Sequence, residues 1–253
     1  MKFPLAVIFR MTLFPATCSL SLHADVITFD VATDFSFANN TESSTWSYRY
    51  ATDLERDGDY LLYTTVNPIA DPFTVKPSVW NDGDDGSPAW VGKNTTGGDQ
   101  ISGGGNNWNW QADDVMFHPG VGRLSVISWL APQSGTLTLN YQLSDDISGG
   151  PVSWFIEQNS SVQTLANGSL TSQATTGPQQ LSTTVAQGDR INFLLDPVGS
   201  IGTDAVVINA SLSLQTNSVP EPATLQKCLF AVVGLAVLFA KKRANHQREA
   251  HDH

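Results

Sequence analysis

The chain has 253 residues and a net charge of −11, from 24 acidic and 13 basic side chains. A field of this sign repels phosphate backbones, so nucleic acid is excluded as a natural partner. The two cysteines, Cys18 and Cys228, lie in the apolar ends of the chain, so the region between them is predicted to fold without a disulfide.

A short apolar stretch near the N-terminus follows basic residues. Met11–Leu22 carries no charge and is followed closely by the small residue Ala24. This order predicts a secretory signal peptide over residues 1–24, with the signal cleavage site after Ala24. The alternatives are an ordinary buried helix, which two prolines argue against, and a lipoprotein signal at Cys18.

Alternation of apolar and polar residues predicts that the exported domain, residues 25–215, is all-β. In Gly135–Ser144 three leucines and Tyr141 alternate with polar residues, as expected for a half-buried antiparallel strand. Many short strands separated by turn signals such as Asn167-Gly168, with no amphipathic helix, indicate a jelly-roll-like antiparallel β-sandwich. The further strands are predicted, in chain order, at Val26–Phe29, Trp46–Thr52, Tyr60–Val66, Val115–His118, Leu124–Leu130, residues 152–156, Ser161–Leu165, Leu181–Val185, residues 191–195 and residues 206–214.

Residues 67–111 differ from the rest of the domain. They are rich in Gly, Asn, Asp and Pro, they contain four tryptophans, and they show little alternation. A connection of this length inside a compact domain is usually functional or mobile. A working surface of the domain is therefore predicted here.

A tryptophan pair within this stretch is a possible glycan-binding site. If Asn107, Trp108, Asn109 and Trp110 are extended, the two indoles share one face of the strand, flanked by amides. Flat aromatic rings and amides suit stacking on sugars and hydrogen bonding to them. The alternative is that both tryptophans cap the core of the sandwich.

The same stretch contains an acidic cluster that suggests calcium. Asp82, Asp84 and Asp85 offer carboxylate oxygens, which Ca²⁺ prefers, but the spacing fails the EF-hand pattern at two positions. They remain weak candidates for an irregular calcium site, and a solvated turn is the favoured alternative. No other cofactor is predicted.

Catalytic motifs are lacking. His118 is the only histidine in residues 25–219, which excludes a multi-histidine metal centre, and no nucleophile motif is present. No catalytic residue is therefore predicted. Glycosidases need two carboxylates flanking a bond, and Glu42, Glu55 and Glu157 are available, although nothing in the sequence selects a pair.

The C-terminal part of the chain predicts a membrane anchor. A Pro-rich linker at residues 216–224 precedes an apolar stretch, residues 225–240, which is predicted to be a transmembrane helix. The membrane stop Lys241, Lys242 and Arg243 begins a basic tail, residues 241–253, which is predicted to stay in the cytoplasm. Between the two ends, residues 25–219 carry 21 acidic against 6 basic side chains, a net charge near −15.

Pro220, Glu221 and Pro222, followed by the apolar stretch and the basic cluster, resemble the PEP-CTERM sorting signal. The resemblance covers about 25 residues, and it departs from the family in its short apolar run and in the ten residues, 244–253, after the basic cluster. It implies a Gram-negative bacterial protein that sits in the inner membrane before an exosortase passes it to the cell surface or extracellular matrix. A plain tail anchor is the alternative.

Together these features predict a non-enzymatic protein of the cell surface or extracellular matrix. Its β-sandwich would bind polysaccharide or have a structural role in the exopolysaccharide matrix, with which the family is associated. The alternative is a secreted carbohydrate-active hydrolase that uses paired carboxylates.

Overall fold

The computed structural model describes residues 25–69, 75–83, 88–101, 109–145, 150–199 and 204–216. The predicted signal peptide, sorting motif, transmembrane helix and basic tail lie outside these ranges. Within them, no helix has the length and apolar character needed to cross a membrane. Asp25–Asn217 forms one compact unit, and its core clusters consist entirely of its own residues. We therefore expect this segment to fold on its own.

The described residues form sixteen strands and one short 3₁₀ helix, Ser161–Gln163. The strands are β1 Val26–Asp30, β2 Trp46–Tyr50, β3 Leu61–Leu62, β4 Thr65–Pro68, β5 Ser78–Asn81, β6 Trp90–Lys93, β7 Gln100–Ile101, β8 Asn109–Trp110, β9 Val115–His118, β10 Ser125–Leu130, β11 Gly135–Ser144, β12 Val152–Gln158, β13 Thr164–Leu170, β14 Gln179–Val185, β15 Arg190–Pro197 and β16 Val206–Thr216. The predictions for β9 and β11 are confirmed residue for residue.

Two antiparallel sheets pack face to face. Over the described ranges, sheet A has eight strands in the order β14-β11-β16-β9-β6-β5-β4, with β1 pairing to β16 beside β9. Sheet B has the order β13-β12-β15-β10-β2-β3, and β7 pairs with β8 in a separate hairpin. All described pairings are antiparallel, which confirms the predicted all-β sandwich.

The main core lies between the sheets and is rich in aromatic side chains. Tyr48 of sheet B stacks on Trp80 of sheet A, with ring centroids 6.4 Å apart, and Tyr141 meets Trp154 edge to face at 6.0 Å. Aromatic pairs of this kind add to the burial of apolar area that stabilises the fold. The alternating leucines of β11 belong to the same core cluster.

A second, smaller core lies on the outer side of sheet A, where Trp110 covers β5, β6 and β9. Gly92 allows this approach, because a Cβ there would lie 2.9 Å from the Trp110 ring and 2.6 Å from Val79 Cγ1. Trp90 packs against Trp110 with ring centroids 5.7 Å apart. Both faces of sheet A are therefore buried in this half of the sheet.

Residues 67–111 were predicted to be a long connection without strands, and this prediction is wrong. β5 to β8 lie there, and β5 and β6 are inner strands of sheet A. Because both faces of these strands are buried, their apolar residues do not alternate with polar ones. The pattern that identified β11 is for this reason missing from β5 and β6.

Two other strand predictions and one turn prediction are also wrong. The predicted strand Ser161–Leu165 begins as the 3₁₀ helix Ser161–Gln163, and β13 starts only at Thr164. Tyr60–Val66 is divided between β3 of sheet B and β4 of sheet A, because the chain crosses from one sheet to the other. The predicted Asn167-Gly168 turn lies inside β13. Gly168 is needed there, because a Cβ would come within 2.8 Å of the Trp154 indole on β12.

Candidate functional site

The outward face of sheet A is uncharged and polar over three adjacent strands. The alternate residues of β11 that point away from the core are Thr136, Thr138, Asn140 and Gln142. The neighbouring strands β14 and β16 continue this pattern with Gln180, Ser182 and Thr184, and with Asn209, Ser211, Ser213 and Gln215. A flat array of amides and hydroxyls results.

An open groove of about 350 Å³ runs across this face, and we call it the polar groove. Strand register builds it: Asn140 lies opposite Gln180 on one side and Ser211 on the other, and Ser211 lies opposite Asp30. Its volume lies within the range of about 300–1,000 Å³ typical of small-molecule sites. The lining comprises Asp30, Asn140, Tyr141, Gln142, Pro178, Gln179, Gln180, Asn209, Ala210 and Ser211.

Internal hydrogen bonds orient part of this lining. Gln180 Nε2 donates to Asn140 Oδ1 at 2.7 Å, which leaves the Asn140 amide N–H groups pointing elsewhere. The carboxylate of Asp30 accepts from the backbone N–H groups of Ala32 and Thr33, at 3.1 and 2.8 Å. The charged member of the lining is therefore occupied by the turn that follows β1.

Asn209 and Ser211 supply hydrogen-bonding capacity that the protein itself does not use. Both are exposed, and neither side chain makes a hydrogen bond to the rest of the described chain. An asparagine amide offers two donors and one acceptor oxygen, and a serine hydroxyl both donates and accepts. Such a mixture matches an uncharged ligand that carries many hydroxyl groups.

The predicted glycan-binding residues do not form a described stacking surface. Asn107 and Trp108 lie outside the described residues, and Asn109 is half-buried in β8. Trp110 is completely buried, and its Nε1 donates to the carbonyl of Asp114 at 2.8 Å. Trp110 thus serves the outer core, which is the alternative that the sequence left open. All six described tryptophans are buried.

Asp82 is the one weak calcium candidate that the structure describes, since Asp84 and Asp85 lie outside the described ranges. Its side chain is buried, and Asp82 Oδ2 accepts from Arg123 Nη1 at 2.6 Å. The protein thus provides a cation for this carboxylate. Within the described residues, no three His, Cys, Asp or Glu side chains cluster in a way that suits a metal ion.

Two glutamates considered for a hydrolase lie in separate ion pairs. Glu157 is completely buried against Arg56; burial raises the pKa of Glu157, and the guanidinium opposes this shift. Glu42 is largely exposed and bonds Arg49, which lowers the pKa of Glu42. Since Glu157 has no exposed surface, the two carboxylates do not face one open cleft.

Comparison with known proteins gives distant structural similarities. No protein-family model matches the chain, and no curated protein matches it. The K3 adhesin domain of Lys-gingipain from Porphyromonas gingivalis W83 aligns with 45% of this chain and 87% of its own, at 14% identity and a TM-score of 0.27. The carbohydrate-binding module CBM36, solved with calcium and xylotriose, aligns with 48% of this chain and 96% of its own, at 15% identity and a TM-score of 0.24. A carbohydrate-binding module of Cellvibrio mixtus lichenase 5A, solved with cellotriose, aligns with 64% of this chain and 96% of its own, at 10% identity and a TM-score of 0.23.

Sequence reasoning missed the polar groove. The signal lay in the polar half of each alternation, where β11 and β16 use only amides and hydroxyls although residues 25–219 are strongly acidic. The absence of charge from these positions distinguishes this face from an ordinary solvated one.

Proposed function

We propose that this is a non-enzymatic protein of the cell surface or extracellular matrix that binds neutral polysaccharide in the polar groove. The observation that carries the proposal is an open groove whose lining, apart from Asp30, is uncharged and rich in amides and hydroxyls, on a domain with a net charge near −15. The PEP-CTERM-like C-terminus supports export from a Gram-negative cell by an exosortase, with the inner membrane holding the precursor. The crossing of successive strands between the sheets from β9 to β12 supports the jelly-roll-like topology.

The composition of the groove favours a neutral ligand over an anionic one. Anionic glycans such as polyuronates would approach against the negative field of the domain, and none of the described residues that line the groove is Lys or Arg. Neutral sugars present hydroxyls that both donate and accept, as Asn209 and Ser211 do. The polar groups of the protein and of the sugar can thus satisfy each other's hydrogen bonds, and no charged group of the ligand has to leave water.

The absence of an exposed aromatic side chain from the groove sets the expected strength of binding. Tyr141 lines the groove, but its side chain is buried. Hydrogen bonds to sugars largely replace hydrogen bonds to water, so each bond contributes about 0.5–1.5 kcal/mol. We therefore expect weak binding at one site, strengthened where one polymer contacts several copies of the protein.

Titration of the segment 25–217 with glycans tests the proposal. Neutral and anionic oligosaccharides would be compared by NMR shift perturbation, with the wild type, Asn209→Ala and the control Gln215→Ala. Asn209 and Gln215 are both exposed on the same face of β16, and only Asn209 lines the groove. We expect neutral oligosaccharides to bind, Asn209→Ala to weaken binding about fivefold to tenfold, and Gln215→Ala to have no effect. Preference for anionic glycans, or equal effects of the two variants, would contradict the proposal.

A further inference from the structure

On one side of the sandwich, both sheets end in strands without charge. β14 forms the edge of sheet A and β13 the edge of sheet B. Gln158 of β12 donates to the Thr184 carbonyl of β14 at 3.1 Å, which places β14 next to β12, the neighbour of β13 in sheet B. Residues 158–188 contain no Asp, Glu, Lys or Arg, although residues 25–219 carry 21 acidic side chains.

β14 is suited to pairing with another strand. It has seven residues without proline or glycine, and its register with β11 runs without interruption from Gln179 to Val185. Among the described strands it pairs with β11 alone, so its other side carries backbone donors and acceptors, although the Thr184 carbonyl already accepts from Gln158. Soluble proteins normally block such an edge with a charge, a proline, a bulge or a very short strand.

The opposite side of the sandwich carries these blocking features. There β3 has only two residues, and β4 ends at Pro68. The segment before β3 adds four acidic residues, Asp53, Glu55, Asp57 and Asp59. The unprotected side is therefore the one that β14 and β13 share, and of the two edges only β14 pairs with its neighbour without a register shift.

We propose that β14 pairs antiparallel with β14 of a second copy of this chain, about a two-fold axis perpendicular to sheet A. Two copies of an acidic domain repel one another over most of their surfaces, so they can approach closely only where charge is absent. The β14 edge provides such a surface. Because Gln180 lies both on this edge and in the polar groove, the pairing places the two grooves on one continuous sheet face.

Cysteine scanning tests this geometry directly. Residues 25–217 contain no cysteine, so a single cysteine at each position from Gln179 to Val185 is unique in that segment. Across a two-fold axis of this kind, one residue of β14 faces its own copy at a Cα separation of about 5 Å, within disulfide range. The positions on either side are separated from their own copies by about 8 Å, which is too far. We expect one maximum of disulfide-linked dimer under mild oxidation, and a yield that is equal at all positions, or absent, would overturn the proposal.

A charge placed on the edge provides an independent test. Thr184→Glu adds a charge to the pairing edge of each copy, whereas Thr136→Glu puts the same charge on the directly opposite residue of β11, one strand further in. Sedimentation velocity of the segment 25–217 at several concentrations measures dimerisation without any glycan. We expect a concentration-dependent dimer, strengthened by salt, that Thr184→Glu weakens about tenfold or more and Thr136→Glu leaves nearly unchanged.

A monomeric wild type at all concentrations, or equal weakening by both variants, would overturn the pairing. A disulfide between a cysteine on β14 of one copy and a cysteine on β13 of another copy would indicate a head-to-tail contact and would also overturn the pairing. Because no glycan is present, failure of these experiments is separate from failure of polysaccharide binding.

Discussion

Replacing Asp204 by asparagine is expected to stabilise the domain at neutral pH. Asp204 is completely buried just before β16, and neither carboxylate oxygen has a hydrogen-bond partner among the described residues. Burial raises the pKa of Asp204 from 3.8 to about 6. Between pH 3.8 and about 6 the folded state therefore holds a proton that the unfolded state has already released.

The sign and size of the effect follow from this shift. Below pH 3.8 both states are protonated, so ionisation makes no contribution to stability; between pH 3.8 and about 6 only the unfolded state ionises, so stability falls as pH rises. Above pH 6 the cost is complete, at about 3 kcal/mol, since one pKa unit corresponds to about 1.4 kcal/mol. Asparagine does not ionise, so Asp204→Asn is expected to regain most of that cost at pH 7.5.

Urea unfolding of the segment 25–217 at pH 7.5 and pH 3.5 measures this gain. At pH 7.5 we expect a midpoint shift equivalent to about 3 kcal/mol, or a rise in Tm of about 6–12 °C. At pH 3.5 we expect little gain. Asp25→Asn, at an exposed position, is the matched control and should change little at either pH. A gain that is absent at pH 7.5, or equal at both pH values, would refute the reasoning.

Three further predictions concern packing, an ion pair and processing. Gly92→Ala should lower the free energy of unfolding by about 1–3 kcal/mol, because the added methyl displaces Trp110, and near-UV circular dichroism should report the altered tryptophan packing. Arg56→Met should cost about 3–5 kcal/mol at pH 7.5, by leaving Glu157 buried without its cation, and much less at acid pH, where Glu157 is protonated; urea unfolding at both pH values measures this difference. In the full chain, mass spectrometry of cell fractions should find the mature protein outside the inner membrane, whereas alanines at Pro220–Pro222 should retain the C-terminal tail. A cytosolic protein with both ends intact would contradict the last prediction.

The sequence predicted the fold best where one face of a strand is wet. β11 was located correctly because its exposed polar residues alternate with buried apolar ones, whereas β9 was located although all four of its residues are buried. β5 and β6 were missed because Trp110 and the hairpin it belongs to bury their second face, and this contact depends on long-range packing. The local alternation of apolar and polar residues cannot predict that a segment distant in the sequence covers the second face of a strand.

The same limit applies to the candidate site. The polar residues of β11 were visible in the sequence, but the groove forms only when β14, β11, β16 and β1 become neighbours, and that order is far from chain order. A glycan-binding site was predicted in the tryptophan-rich stretch because exposed indole rings stack well on sugars. Trp110 is instead buried, which satisfies its large apolar area and its N–H together.

The pairing of β1 with β16 brings the beginning and the end of the domain to one pole. The backbone N–H of Thr216 donates to the carbonyl of Asp25 at 2.9 Å, so chain entry and exit are adjacent. Proteolytic cleavage before Asp25 and after Thr216 would therefore occur at the same pole, and neither cut would fall within a strand. The groove begins at Ser211, five residues before the end of β16 and about 17 Å from that pole. A domain that is attached at this pole therefore keeps the groove accessible to a polysaccharide.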